Sequence, residues 1–258
     1  MVFTISTIDV SMTRQAIPFA LSSTLRQDHL EDLLKSGLSR NTIERLGVTT
    51  SLSNNSWIIP IWDIRKNEVL GYRAKYDREA LDKNQCPGRT GRGHIKRYRA
   101  LTKLGNRLFY PHVGKIPWTK IASDRNFPIF ITEGEKKAAK LTQEDYYTIG
   151  LFGVDAWLHK IPNPHYPTGT RYITGPLDDF KDIRWDDRTV YIVFDADKYF
   201  NGLVLQAEQK LADYISSLGA RVKTINLPKD LLISGVKAVD DFFVYYGNTG
   251  KARFEELL

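Results

Sequence analysis

The sequence predicts an α/β fold, a mostly parallel sheet flanked by helices, preceded by a basic subdomain of mixed α and β structure. Two observations lead to this prediction. After about residue 126, short apolar runs typical of buried strands alternate with helical patterns, which is the order expected of a parallel sheet. Before that point, two helical segments and a strand pair carry most of the excess of basic residues. We therefore divide the chain into residues 1–125 and 126–258.

The basic part is predicted to begin with an irregular arm, residues 1–24, followed by a helix pair. Gly37 is placed where the first helix would end. Ser39 is a suitable N-cap for the second helix, and Gly47 is a suitable residue to end it.

Two strands are predicted next, Trp57–Asp63 and Val69–Lys75, joined by a hairpin turn. Pro60 has no backbone N–H, so we expect the first strand to be an edge strand or a bulged one. Residues 82–94 are rich in glycine and polar groups, a composition that indicates a mobile loop. A further short strand is predicted at residues 107–110.

The second part follows a β-α-β order. An insertion is expected at residues 155–187, where proline and aspartate are frequent. One predicted helix, Leu203–Leu218, has an apolar face formed by Leu205, Leu211, Ala212 and Ile215. The remaining predicted elements are strands at 129–132, 147–152, 190–194 and 221–227, and helices that begin at Glu135 and Asp240.

Charge and composition narrow the function classes. Residues 1–128 contain 21 Lys and Arg against 11 Asp and Glu, whereas residues 129–258 contain 16 against 19. A basic half favours a polyanion such as nucleic acid as partner, although a merely soluble basic surface remains an alternative. The single cysteine, Cys86, excludes an intramolecular disulfide and a zinc site built on several cysteines. No apolar run is long enough to span a membrane and no signal segment is recognisable, so we expect a cytoplasmic protein without membrane partners.

Three acidic motifs follow predicted strands: Glu133-Gly134, Asp195-Ala196-Asp197 and Asp240-Asp241. Taken singly, each motif is more often a helix cap or a turn. Three such motifs at successive strand ends would repel one another unless a cation lies between them. Carboxylate oxygens suit Mg²⁺ or Mn²⁺, so the pattern predicts metal-assisted phosphoryl or nucleotidyl transfer.

Over about residues 127–243, this pattern resembles the Toprim domain of bacterial DnaG-type primases, topoisomerases and some nucleases. The resemblance implies a Toprim-type sheet in which Glu133 is a metal ligand or general base and Asp195 and Asp197 are metal ligands. Asp240 or Asp241 would complete the site. Primases of this type often carry an aspartate four residues after the glutamate, and Lys137 stands there instead. We expect this lysine either to hold a phosphate or to be a solvated surface residue.

The basic half is similar, in the order of its elements, to the subdomain that precedes Toprim in bacterial primases. The ordered segments are Ile59–Asp63, Val69–Arg73, Lys96–Tyr98 and Arg107–Tyr110. Cations in this region are candidates for phosphate contacts and tyrosines for base stacking. The candidates for nucleotide and nucleic-acid binding are Arg73, Lys75, Lys96, Arg97, Tyr98, Arg99, Lys103, Arg107 and Lys137.

The resemblance implies a primase catalytic core of plasmid, phage or mobile-element type, which would synthesise RNA primers on a single-stranded DNA template from nucleoside triphosphates. A replicative helicase is a further expected partner, and the chain is interpretable as a piece of a longer replication protein. Two alternatives stay open: a Toprim metal-dependent nuclease, and a degenerate, non-catalytic module that binds single-stranded DNA. A topoisomerase is disfavoured, because no second domain that would position a nucleophilic tyrosine is recognisable.

Overall fold

The structure is a computed structural model that describes residues 24–51, 56–77, 98–100 and 104–258. The chain forms two compact units. One contains the described residues up to Lys35 and from Ser39 to Gly105, and the other contains Ser36–Leu38 and Asn106–Leu258. The predicted domain boundary at residue 125 stays a prediction. Three predictions lie outside the described residues: the arm up to residue 23, the loop at 82–94, and the positions of Lys96, Arg97 and Lys103.

The first unit begins with the predicted helix pair, α1 (Gln27–Lys35) and α2 (Arg40–Leu46). The side chain of Ser39 accepts a hydrogen bond from the backbone N–H of Thr42 at 3.1 Å, and Gly47 ends α2 in the left-handed conformation, with φ 66°. Both the predicted cap and the predicted stop are therefore confirmed.

An antiparallel sheet completes the first unit. Its strands, in spatial order, are β1 (Thr49–Ser51), β2 (Ser56–Asp63), β3 (Glu68–Tyr76) and β4 (Tyr98–Ala100). The expectation of an edge or bulged strand at Pro60 is confirmed by a register shift between Ile61 and Trp62, and β2 is not an edge strand, because it pairs with both β1 and β3. β1 pairs only with residues 56–58, so the missing N–H of Pro60 costs no hydrogen bond to β1.

The second unit contains a four-stranded parallel sheet, whose strands in spatial order are Arg221–Thr224, Thr189–Ile192, Ile129–Glu133 and Thr148–Leu151. This arrangement of parallel strands with helices between them confirms the predicted α/β fold class. The strands of the second unit are β5 (Ile129–Glu133), β6 (Thr148–Leu151), β7 (Leu158–Pro162), β8 (Tyr172–Pro176), β9 (Thr189–Ile192) and β10 (Arg221–Thr224). Of these, β7 and β8 form a separate antiparallel hairpin outside the parallel sheet. Its helices are α3 (Trp118–Ser123), α4 (Glu135–Gln143), α5 (Gly202–Ser217), α6 (Val239–Tyr246) and α7 (Gly250–Glu255).

Two sequence predictions in this unit are wrong in detail. Residues 107–110 do not form a strand; Phe109 instead makes a single antiparallel bridge with Gly150, with hydrogen bonds of 2.9 and 2.8 Å, before Pro111 follows. Leu205 was placed on the apolar face of α5, but it is 53% exposed. The buried face is formed by Ala207, Glu208, Leu211, Ala212 and Ile215.

The core on one side of the parallel sheet is aromatic. Phe130 of β5 stacks on Tyr191 of β9 with ring centroids 4.8 Å apart. Phe242 and Phe243 of α6 and Phe254 of α7 belong to the same buried cluster. The last acidic motif, Asp240-Asp241, lies in the first turn of α6, so the burial of these helices fixes where that motif lies relative to the strands.

Arg188 connects α3 to the start of β9. Its guanidinium is completely buried and donates hydrogen bonds to the carbonyl oxygens of Ile121, Ala122, Phe127 and Arg184 at 2.6–3.0 Å. Burial lowers the pKa of Arg188 to about 10, and the carbonyl dipoles offset that cost. Across the part of the chain that the structure describes, no helix has the length and apolar character needed to cross a membrane.

Candidate functional site

Two of the predicted acidic residues lie at the same edge of the parallel sheet. β5 and β9 are parallel neighbours, with Ile131 opposite Ile192, so both strands end at the same edge. Glu133 is the last residue of β5, and Asp195 follows the end of β9 in the next loop. Chemistry in open parallel sheets is usually located at this edge, where the strands carry their carboxyl ends.

Lys137 forms an ion pair with the second of these residues, Asp195. It lies in the first turn of α4, and its Nζ is 2.6 Å from both carboxylate oxygens of Asp195. The two side chains are only 19% and 25% exposed, so Lys137 is not the solvated surface residue that was one of its two expected roles. Burial alone lowers the pKa of Lys137, but the negative charges of Asp195, Glu133 and Asp240 raise it above its ordinary value. Lys137 is therefore a charged ammonium among three carboxylates.

The turn at Gly134 sets the direction of Glu133 and Lys137. Gly134 has φ +99°, a conformation that other residues adopt only with strain. Its N–H donates to the carbonyl oxygen of Leu151 on β6 at 2.7 Å, and its own carbonyl oxygen accepts from Ala138 of α4. The strand end and the helix start are thus fixed to each other, with one acidic and one basic side chain across the turn.

The two residues of the third acidic motif, Asp240 and Asp241, have different surroundings. The carboxylate of Asp241 accepts hydrogen bonds from the backbone N–H groups of Lys237 and Ala238, both at 3.2 Å, and so caps the start of α6. Asp240 is 6% exposed, and its Oδ1 has no hydrogen-bond partner among the residues described. Burial raises the pKa of Asp240, while the charge of Lys137 and a hydrogen bond from Ser36 act in the opposite direction.

The loop after β9 is held firmly on both sides. A short 3-10 helix, Ala196–Tyr199, follows Asp195, and the N–H of Ala196 donates to the carbonyl oxygen of Lys237 at 2.8 Å. This bond joins the second acidic motif to the segment just before the third. The backbone of Asp197 belongs to the 3-10 helix, but its side chain lies outside the described part of the structure, so its predicted role stays a prediction.

The donor type of Glu133, Asp195 and Asp240 suits a hard divalent cation, although the ligand atoms of these three described residues do not all lie within 4.8 Å of one another. Glu133 and Asp195 offer carboxylate oxygens at the sheet edge, and the Oδ1 of Asp240 is a buried acceptor without a hydrogen bond in the described residues. Oxygen ligands of this kind suit Mg²⁺ or Mn²⁺. The lysine adjacent to Asp195 is the feature that departs from a purely acidic site, and it already neutralises one of the carboxylates.

The predicted nucleic-acid-binding residues of the first unit differ in exposure. Arg73 is nearly buried, with its guanidinium carbon 5.3 Å from the centroid of the Tyr98 ring. Lys75 is also nearly buried and forms a 2.5 Å ion pair with Asp32. Arg99 is exposed. The binding roles of the whole set stay predictions.

Arg107 belongs to the second unit, where it forms an ion pair with Asp179. Its Nε and one terminal nitrogen lie 2.9 and 2.8 Å from the two oxygens of Asp179, which also accepts from the N–H of Leu108. Because Asp179 is almost fully buried, this pair holds the segment before α3 in place. A nucleotide-binding role for Arg107 stays a prediction as well.

Sequence reasoning missed a buried ion pair beneath the site. Lys198, the residue after Asp197, lies 2.6 Å from Glu208 and also donates to the carbonyl oxygen of Ile225. The pair fixes the 3-10 helix that follows Asp195 to α5 and the end of β10. A sequence signal existed, because Glu208 stands three residues before Leu211 and four before Ala212 and therefore interrupts the apolar face of α5.

A second group of potential metal ligands, formed by Asp28, His29 and Asp77, was not predicted from the sequence. One ligand atom from each of these first-unit residues lies within 4.8 Å of the others. The ring of His29 already contacts Thr50 and Asp77 at 2.8 and 2.9 Å, and Arg26 pairs with both carboxylates. Since protein groups already satisfy these atoms, we assign no ligand to the group.

A match to one family model covers most of the second unit. A family model described as "Domain of unknown function (DUF3854)" matches residues 117–250, just over half of the chain. The chain belongs to the DUF3854 family. The match contains α3, the whole parallel sheet and all three acidic motifs, so the cluster around Lys137 lies within the DUF3854 domain. No curated protein matches the chain.

The fold of this DUF3854 protein is similar to that of a solved primase. The crystal structure of the Aquifex aeolicus primase, comprising its zinc-binding and RNA polymerase domains, matches with a TM-score of 0.54 and 15% sequence identity. The match covers 90% of this chain and 55% of that one, so the chain corresponds to little more than half of the solved primase. At this identity the comparison shows a primase-like α/β fold.

Proposed function

We propose that this chain is the catalytic core of a DNA primase, which synthesises short RNA primers on single-stranded DNA in a reaction that depends on Mg²⁺ or Mn²⁺. The observation that carries the proposal is the contact between Lys137 and Asp195 at the carboxyl edge of a primase-like sheet, where the charges of Glu133 and Asp240 also act on Lys137. We assign the sheet of the second unit to the Toprim type on the same ground.

The proposed roles follow from the surroundings of each carboxylate. Glu133, Asp195, Asp197 and Asp240 would hold the divalent cation, which when bound supplies charge neutralisation for the triphosphate and activation of the primer 3′-hydroxyl. Asp241 was an equal candidate in the sequence, but its carboxylate already caps α6. We therefore assign Asp240 to the cation and Asp241 to the position of the loop.

Lys137 would bind the nucleotide. Two of its three N–H groups are directed to Asp195, so the third is available for a phosphate oxygen. The charge of the first part of the chain supports a nucleic-acid partner, since residues 1–128 carry ten more basic than acidic residues. Arg99, together with Lys96, Arg97 and Lys103, is the proposed contact with the single-stranded template.

A primer-synthesis assay tests the proposal. The full chain is incubated with single-stranded DNA, ribonucleoside triphosphates and Mg²⁺ or Mn²⁺, and RNA products are resolved by length. We expect Glu133→Gln and Asp195→Asn each to reduce product by at least about 100-fold, because each removes a cation ligand. Matched controls are Glu256→Gln and Asp178→Asn, which neutralise exposed carboxylates in surface ion pairs and should leave activity unchanged. Full activity of both site variants would refute the proposal.

The two alternatives are distinguishable outcomes of the same assay. Shortening of the template that depends on the metal, without any RNA product, would indicate a nuclease. DNA binding that chelation leaves unchanged, with neither synthesis nor cleavage, would indicate a non-catalytic module. The Lys137–Asp195 pair is the observation that favours the latter, since it neutralises a proposed cation ligand.

A further inference from the structure

The β7–β8 hairpin is a part of the second unit that the proposed catalytic site does not use. Among the described residues its two strands pair only with each other, with Leu158 opposite Pro176 and Pro162 opposite Tyr172. Every residue from 164 to 174 is exposed. A two-stranded ribbon of this kind buries little apolar surface, so core packing does not explain which side chains it displays.

The hairpin segment, residues 156–177, is positively charged within an acidic half of the chain. It contains no aspartate or glutamate, and its cations are Lys160 and Arg171. Both are exposed, and neither forms an ion pair with a carboxylate of the described residues. The neighbouring exposed lysine, Lys181, differs, because its Nζ lies 2.6 Å from Asp178. The hairpin therefore presents positive charge that the chain itself does not neutralise.

The register of the hairpin brings a cation and an aromatic ring to one face. Lys160 lies opposite Thr174, and Pro162 lies opposite Tyr172, so all four side chains are on the same side of the ribbon. The guanidinium carbon of Arg171 is 5.5 Å from the centroid of the Tyr172 ring, and Tyr172 is 47% exposed. Exposed rings stack on nucleic-acid bases, and adjacent cations attract the phosphates between those bases.

The tip of the hairpin carries a second exposed ring on a well-ordered loop. Tyr166 is 58% exposed. The backbone N–H of Asn163 donates to the carbonyl oxygen of Arg171 at 3.0 Å, and its side-chain amide donates to that of Thr170 at 2.7 Å. Its Oδ1 accepts from the N–H of His165 at 2.9 Å. Because these bonds order the loop before any ligand binds, binding costs less conformational entropy.

The base of the hairpin is fixed to the second unit near the proposed site. The N–H of Leu177 donates to the carbonyl oxygen of Trp157 at 2.9 Å, and the Trp157 ring stacks on Tyr214 of α5 with centroids 5.2 Å apart. The preceding strand, β6, ends at Leu151, which lies opposite Glu133 in the register. The chain therefore leaves the sheet for the hairpin at the edge that carries Glu133.

We propose that the β7–β8 hairpin binds single-stranded DNA, with bases stacked on Tyr172 and Tyr166 and phosphates contacted by Lys160 and Arg171. The choice of DNA rests on the proposed function, whose template is single-stranded DNA, but the contact itself needs neither a metal ion nor catalysis. A polyanion is favoured over a protein partner because the segment carries cations and no carboxylate. A single strand is favoured over a duplex because its bases are free to stack on the rings.

Fluorescence anisotropy of the full chain with a labelled oligo(dT) of about 20 nucleotides tests the stacking contact. The buffer contains a chelator and no nucleotides. Tyr172→Ala should weaken binding at least about fivefold, whereas Tyr172→Phe keeps the ring and should bind like wild type. The control Tyr245→Ala removes a tyrosine of α6 that is 53% exposed, and it should also bind like wild type.

The salt dependence of the same binding tests the phosphate contact. Lys160→Met should reduce the slope of log affinity against log salt concentration by about 0.7, because one fewer phosphate is neutralised. Lys181→Met is the matched control, since Asp178 already neutralises this lysine, and its slope should equal that of wild type. An unchanged slope in Lys160→Met would contradict the phosphate contact.

Ultraviolet cross-linking of the wild-type chain to an oligonucleotide that contains iododeoxyuridine locates the contact directly. Trypsin cleaves after Lys160, Arg171 and Lys181, so Tyr166 lies in peptide 161–171 and Tyr172 in peptide 172–181. We expect cross-links in one or both peptides. This readout decides the question if Tyr172→Ala does not fold.

Three results would each overturn the inference: wild-type affinity in folded Tyr172→Ala, cross-links only outside the two peptides, or no binding of single-stranded DNA by the wild-type chain. Tighter hairpin-dependent binding of oligo(rU) than of oligo(dU) would assign the surface to RNA and overturn the choice of DNA. Primer synthesis with unchanged DNA affinity in Tyr172→Ala would overturn this inference alone. Hairpin-dependent DNA binding by a chain that makes no primers would overturn the proposed function alone.

Discussion

Two lysine–carboxylate pairs in the second unit have the same length and different surroundings. Lys137–Asp195 and Lys198–Glu208 both have an N–O distance of 2.6 Å, and both flank the loop after β9. The side chains of the second pair are 2% and 4% exposed, and Lys198 also donates to the carbonyl oxygen of Ile225. The first pair is partly open to solvent and is surrounded by two further carboxylates.

The difference shows that distance alone does not distinguish a structural ion pair from a functional one. In the Lys198–Glu208 pair the charges balance, and backbone and core atoms enclose them, so the pair fixes a loop. In the Lys137–Asp195 pair the negative charges exceed the positive one, and one acceptor oxygen of Asp240 is left without a hydrogen bond from the described residues. Excess charge at an accessible edge is what attracts a ligand.

The largest effect is expected from breaking the enclosed pair. Lys198→Met leaves Glu208 buried without an opposite charge, so we expect the free energy of unfolding to fall by about 3–5 kcal/mol, measured by urea denaturation. The double variant Lys198→Met with Glu208→Leu removes both charges and should recover most of that loss. A double variant as unstable as the single one would show that packing, not charge, explains the effect.

A partly buried histidine, His112, provides the contrasting case of a group that its surroundings keep uncharged. Burial lowers the pKa of His112 from 6.5 to about 4. As the pH falls from 6.5 to 4, the unfolded chain therefore binds a proton that the folded chain does not, and stability decreases through that window. Between pH 7 and pH 5 we expect His112 to contribute a loss of about 2 kcal/mol in the free energy of unfolding.

The matched variant His112→Gln has no titrating group at this position. Urea denaturation at the two pH values should therefore show a smaller acid-induced loss than in the wild-type chain. An equal loss in both proteins would assign the acid sensitivity to other groups.

Lys137→Met should cost less stability than Lys198→Met and should respond differently to cations. We expect a loss of about 1–2 kcal/mol in metal-free buffer, since the three carboxylates then repel one another near solvent. Millimolar Mg²⁺ or Mn²⁺ should restore this loss but not that of Lys198→Met. Thermal melting of both variants with and without the cation provides the comparison, and rescue of both would remove the distinction between the two pairs.

The smallest effect is expected at the exposed pair. Lys181→Met breaks the ion pair with Asp178, in which both side chains are largely exposed, and we expect no measurable change in melting temperature or Mn²⁺ binding. A clear loss of stability would mean that surface pairs matter more in this chain than their exposure suggests.

Local patterns were enough to predict the fold class and several of its details. Ser39 caps α2 and Gly47 ends it, as expected, because a cap depends on residues only a few positions apart. The parallel sheet followed from apolar runs alternating with helical patterns, since strand and helix periods are visible in short windows. Leu205 shares a helical face with Glu208 and Ala212, but it lies in the first turn of α5, where Leu203 is also exposed, and helical spacing alone does not show which turns of a helix are covered by the core.

By itself, the sequence determined the type of the elements and the position of acidic residues at strand ends, because both depend on residues that are neighbours along the chain. Only the tertiary structure decided which carboxylates meet. It brought Lys137 to Asp195 across 58 positions, turned Asp241 into a cap and left Asp240 buried beside them. The physical reason is that ion pairs and desolvation depend on spatial distance, which the order of strands in the sheet sets and local sequence does not encode.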